Sequence, residues 1–130
     1  MRLALSLFAA VVCCAFADDA DPADPKIKPR EIMVAGAGKL GGKPTENKYT
    51  TAADLATAYG KDVADAVAKE VDFKKEYVVV FSWSGSGGDR ITLSSEGKKA
   101  TFSKNRGLTR DLRSHFKVFA LPKGFTYESK

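Results

Sequence analysis

Residues 77–83 read Tyr-Val-Val-Val-Phe-Ser-Trp. Seven residues this rich in β-branched and aromatic side chains are too few for a stable helix and suit a strand. Tyr77, Val79, Phe81 and Trp83 fall on one face and Val78, Val80, Ser82 and Ser84 on the other, so the strand starts apolar on both faces and ends half polar. A strand of this kind needs cover on both sides, which makes it the candidate for the centre of a sheet. Gly85-Ser86-Gly87-Gly88-Asp89 follows and is glycine-rich enough to reverse the chain into a hairpin with Ile91 and Leu93, which alternate against Thr92 and Ser94. Glu96-Gly97-Lys98 makes a second turn before Ala100 and Phe102, and Asn105-Arg106-Gly107 a third. The last clear strand is 115–121, with Phe116, Val118 and Ala120 on one face and Pro122 closing it.

Upstream, residues 31–34 have the character of a short strand, and Gly36, Gly38, Gly41, Gly42 and Pro44 then predict a loop to about Tyr49. Thr51-Ala52-Ala53-Asp54 fits a capping box, with Leu55 and Tyr59 on one helical face behind it. Gly60 is placed to end that helix in a left-handed cap. Val63, Val67 and Val71 recur every fourth residue after a second start at Asp62, so one bent helix or two short ones occupy 51–70. The pattern predicts an α+β fold: one or two short N-terminal helices followed by a mainly antiparallel sheet of about four to five strands.

The first seventeen residues are an address rather than part of the fold. Arg2 is a short basic region, residues 3–17 are dominated by apolar side chains, and Ala15-Phe16-Ala17 is a small-x-small cleavage site. The run is shorter than the ~20 residues of a transmembrane helix, so a secreted or periplasmic product with no transmembrane anchor after cleavage is expected. Lipidation at Cys14 is the competing reading, but Cys13 and Val12 stand where small residues belong. Both cysteines leave with the signal, and what remains carries a net charge of +4 and must be stabilised by packing alone in an oxidising compartment. Residues 18–30, opening Asp-Asp-Ala-Asp-Pro, read as a flexible acidic leader. Residues 31–130 then form a single domain.

Motifs for catalysis are thin. Gly36-Ala37-Gly38-Lys39-Leu40-Gly41 spells G-x-G-x-x-G, but no helix opens after it and no βαβ unit follows, so a loop is the better reading and no cofactor is expected. His115 is the only histidine, which removes metal sites built on several His or Cys and would force any triad through one residue. Ser84, Ser86 and Ser114 lie nearby without a G-x-S-x-G context. A His115-dependent hydrolase is the least favoured reading, and a solvated strand-end histidine the preferred role.

Charge is more informative. Residues 74–130 hold 12 basic and 5 acidic side chains, residues 45–72 hold 3 basic and 6 acidic. Lys98, Lys99, Lys104, Arg106, Arg110 and Arg113 gather around the later turns and suit an anionic envelope polymer or lipid headgroups; a solvated edge that blocks aggregation is the plain alternative. Nucleic acid is not expected for an exported chain. Should the Gly-rich turn and the 109–113 connection meet at one end of the sheet, Trp83, Arg90, Arg110 and Arg113 would make an aromatic and guanidinium-rich binding surface, with Asp111 and His115 beside it. Internal ion pairs from Asp89 and Asp111 to these arginines are the structural alternative.

Val71-Asp72-Phe73-Lys74-Lys75-Glu76, the strand with its Gly-rich turn through Asp89, and Thr109-Arg110-Asp111-Leu112-Arg113-Ser114-His115 are together similar to small exported bacterial proteins of unassigned function. The first hexapeptide also resembles the PrcB-like accessory domain of a secreted protease complex, over about residues 60–121. The resemblance implies association with a protease; that domain's Gly-Gly-Tyr feature is not present here, and no catalytic residue comes over. The expectation is an exported non-catalytic binding module whose partner is an extracytoplasmic protein or an anionic envelope polymer.

Overall fold

The structure is a computed structural model and describes residues 26–130. The expected signal segment, both cysteines and most of the expected acidic leader lie outside the described residues. In chain order the elements are β1 (Arg30–Ile32), a 3-10 turn (Ala37–Lys39), β2 (Thr45–Tyr49), α1 (Ala52–Tyr59), α2 (Lys61–Ala68), β3 (Glu76–Ser86), β4 (Arg90–Glu96), β5 (Lys99–Asn105), β6 (Leu112–Pro122) and β7 (Thr126–Ser129). Arg30, at the end of the acidic leader, thus opens β1. Among the described residues no helix is long and apolar enough to cross a membrane.

The run of apolar residues in β3 becomes the middle of the molecule. β3 pairs antiparallel with β6 along its whole length, from Glu76↔Pro122 to Ser86↔Leu112, and the four-stranded sheet has the order β1-β6-β3-β2. Alternation then supplies two cores. Val78 and Val80, with Phe116, Val118 and Ala120, pack against Leu55, Val63, Val67 and Val71 on the helical side. Tyr77, Val79 and Phe81, with Phe119 and Leu121, pack against Ile91, Ala100 and Phe102 of the three-stranded sheet β4-β5-β7. The result is three layers, with the large sheet buried on both faces, as the unbroken apolar start of β3 demands. Phe81, Phe102 and Phe119 meet edge to face or tilted at 4.8–5.8 Å, the geometry their quadrupoles favour.

Local chemistry sets the helix boundaries. The Thr51 hydroxyl accepts from the Asp54 amide at 3.2 Å, the N-terminal half of the expected box. Gly60 has φ 97° and ψ 161°, positive but extended, so it is not the left-handed cap expected: it breaks one helix and starts the next within a single residue.

Five further expectations need correction. The helices are not N-terminal to the sheet, because β1 and β2 precede them, and there are seven strands in two sheets rather than four to five. The segment expected to be loop as far as Tyr49 contains β2, a polar edge strand defined by its pairing with β3. Only its end residues, Thr45 and Tyr49, are half-buried, Tyr49 against Tyr59, while the exposed Lys48 holds its ammonium 4.2 Å from the Tyr77 ring centre. Strand 115–121 begins earlier, at Leu112, and is not the last: β7 follows and runs parallel to β5. Finally, the Gly-rich turn does not make a hairpin with β4, since β3 pairs with β2 and β6 while β4 pairs with β5.

What the turn does make is a corner. β3 and β6 form one half of a long two-stranded ribbon and β4 and β5 the other, and the ribbon folds over between the pairs Ser86↔Leu112 and Arg90↔Asn105. One side crosses with residues 87–89, the other with 106–111, so the second side carries slack that stands out from the fold.

Candidate binding site at the sheet corner

The two crossings lie against each other because their side chains and amides interlock. Asp89 accepts from the Gly107 amide at 2.8 Å and from the Trp83 indole N–H at 3.3 Å. Asp111 accepts from the Gly87 amide at 3.2 Å and pairs with the Arg113 guanidinium at 2.6 Å. The Ser86 and Thr109 hydroxyls bond at 2.6 Å, and the Gly88 amide donates between them at 3.3 and 3.2 Å. Glycine is required at the closest approach: a Cβ on Gly107 would sit 2.4 Å from the Gly88 backbone. The thermodynamic imprint of the tie is on Asp111, whose carboxyl is held at about 2 by the Thr109 hydroxyl first and the Gly87 amide next.

Trp83 and His115 are cross-strand partners, and their rings stack with centroids 4.7 Å apart and 12° between planes. His115 Nε2 lies 2.8 Å from the Ser86 carbonyl oxygen, which can only accept, so that nitrogen carries the proton. Behind the Trp83 ring, Arg90, Lys104 and Arg106 surround a cleft of about 180 Å³, with Asp89 at its wall. That volume is below the range for a drug-sized ligand and admits one small group, such as a carboxylate, a sulfate or a phosphate.

The six residues singled out in the sequence therefore fall into two kinds. Trp83 and Arg90 line the cleft, and Arg110 is exposed on the outer crossing. Asp111, Arg113 and His115 are bonded within the corner itself. Of the two aspartates weighed as partners for arginines, Asp111 takes Arg113, whereas Asp89 takes an indole and an amide. The basic cluster is divided: Lys104, Arg106, Arg110 and Arg113 belong to the corner, but Lys98 and Lys99 sit at the other end of β5, where Lys99 pairs with Glu128 at 2.9 Å. Leu108 and Leu112, 99% and 81% exposed, and the Ser86–Thr109 tie belong to the corner without standing out in the sequence pattern. Leu108 shows there only as a lone leucine between Gly107 and Thr109 in an otherwise polar stretch.

Among the described residues no group of three or more His, Cys, Asp or Glu is placed to hold a metal ion. No family model, no curated protein and no solved structure matches the chain.

Proposed function

We propose that the chain is an exported binding or interaction module, without catalysis of its own, that meets an anionic partner with the corner of its folded ribbon. The observation that carries this reading is an imbalance. Both acidic side chains of the corner, Asp89 and Asp111, are engaged by Trp83, Gly87, Gly107 and Arg113, while Arg90, Lys104, Arg106 and Arg110 have no ion pair among the described residues. Cations left unmatched over a rigid frame raise the local concentration of an anionic partner and can form charge-assisted bonds to it without reorganisation. A hydrolase finds less support, since the proton on His115 Nε2 is donated to a carbonyl and the Ser86 hydroxyl is bonded to Thr109. An anionic envelope polymer and an acidic face of an extracytoplasmic protein, including a protease complex of the kind the resemblance implies, both satisfy this chemistry.

The test is retention on an immobilised sulfated polysaccharide at rising salt. Wild type should elute at a higher salt concentration than an Arg90→Gln/Arg106→Gln/Arg110→Gln variant, and Lys98→Gln/Lys99→Gln should elute with wild type. Equal elution of the corner variant and wild type would remove the reading.

A further inference from the structure

The outer crossing alternates. Gly107, Thr109 and Asp111 are each bonded across to the inner crossing, to Asp89, to Ser86 and Gly88, and to Gly87, although Thr109 and Asp111 stay exposed; Arg106, Leu108 and Arg110, which alternate with them, are exposed without such ties. The loop is thus an extended ridge pinned at every second residue, presenting Arg-Leu-Arg to solvent, with Leu112 exposed just beyond it. Of the three large apolar side chains left exposed among the described residues, Met33, Leu108 and Leu112, one is on this crossing and a second opens β6 directly after it.

A surface evolved only for a soluble polyanion gains nothing from leucines at this exposure, because a hydrated polymer offers them no apolar cover. A bilayer surface with anionic headgroups offers both halves of what the ridge presents: phosphate oxygens for guanidinium groups and an acyl boundary a few ångströms deeper for leucine. Arginine suits that position, since its stem lies along the apolar layer while its head stays among the phosphates. The inward ties mean that little loop entropy is lost on docking.

We propose that the Arg106–Arg110 ridge docks on an anionic lipid surface, Leu108 and Leu112 entering the headgroup layer while Arg106 and Arg110 hold phosphate oxygens. This rests on the reading of the corner as the binding surface and names its partner. Contact of this depth is shallow and reversible, and two leucines anchor far less firmly than a membrane-spanning helix.

The experiment is co-flotation with vesicles of phosphatidylcholine alone and of phosphatidylcholine with phosphatidylglycerol, using protein with the same N-terminus in every variant. Wild type should float with the anionic vesicles and not with the neutral ones. Leu108→Ser/Leu112→Ser should weaken that partition by about tenfold or more, and Arg106→Gln/Arg110→Gln by a similar factor, lost in wild type at high salt. All these positions are exposed, and an unchanged unfolding midpoint shows that each variant is folded. Absence of flotation, flotation indifferent to headgroup charge, or flotation unchanged in the leucine variant would each overturn the lipid proposal. Retention of wild type on the sulfated polysaccharide through the corner, combined with any of those results, leaves the binding reading standing and assigns the corner to a soluble polyanion or acidic protein. Loss of both removes both.

Discussion

Trp83 and His115 lie opposite each other on β3 and β6 and stack at 4.7 Å, and His115 also holds the Ser86 carbonyl at the point where β3 leaves the sheet. One residue therefore supports the aromatic wall of the cleft and fixes the start of the corner. Trp83 is the only tryptophan, so its emission reports on that arrangement without interference. His115→Ala should shift the emission to longer wavelength by uncovering the ring and cost about 1–2 kcal/mol for the lost stack and hydrogen bond. His115→Phe should keep the emission of wild type. An unshifted spectrum in the alanine variant would show that the stack does not exist in solution.

Gly107 is where the two crossings touch, and its side of the contact is backbone against backbone. Gly107→Ala should lower stability by about 2 kcal/mol or more, because neither Gly88 nor its neighbours can yield as a flexible side chain would. Gly38→Ala, with open space around the new methyl group and no positive φ, is the control and should leave the urea midpoint in place. Equal midpoints for the two variants would argue that the crossings do not approach as closely as described.

The carboxyl of Asp111 at about 2 lies below its ordinary value of 3.8. A folded-state value depressed in this way means that the stabilisation is fully present above about pH 4 and is lost as pH falls toward 2. The carboxylate is exposed, so the effect should be local, a loosening of the corner rather than unfolding. The Gly87 amide resonance is the direct monitor: it should titrate with a midpoint near 2, and its titration should vanish in Asp111→Asn. A midpoint near 4 would mean that the tie to Thr109 and Gly87 is not made.

At the far end of β3, the buried carboxylate of Glu76 is matched by the Arg30 guanidinium and by the Asp72 amide at 3.3 Å, and Arg30 also reaches the Glu70 carbonyl at 2.6 Å. Arg30→Ala leaves that charge buried with one remaining donor and should cost about 3 kcal/mol. The double variant Arg30→Ala/Glu76→Gln should recover part of the loss in a denaturation cycle, since the uncompensated charge is gone. No recovery would place the effect of Arg30 in β1 pairing instead.

The middle layer was legible in the sequence because its signal is local: β3 alternates apolar residues on both faces and β6 does so over Phe116, Val118 and Ala120. Both helices were legible from Thr51, Gly60 and the valine spacing. β2 and β7 were not, because Thr-Glu-Asn-Lys-Tyr and Thr-Tyr-Glu-Ser carry almost no apolar alternation and exist as strands only through backbone pairing with β3 and β5. The glycines after β3 locally suit a hairpin, whereas those at 87, 88 and 107 allow two crossings to pack, a long-range contact that no local pattern encodes. For the same reason Trp83, Arg90 and Arg110 could be singled out in the sequence, but that Trp83 and Arg90 line the cleft while Arg110 stands on the outer crossing could not.

Backbone amide shifts of the isotope-labelled protein, followed while a short sulfated oligosaccharide is added at low salt, test the central claim most directly. The account predicts shifts confined to residues 86–90 and 104–113, with the Trp83 indole N–H among the largest, and their disappearance at high salt. Shifts centred on Lys98 and Lys99 at the opposite end of β5, or spread evenly over the basic residues, would contradict it.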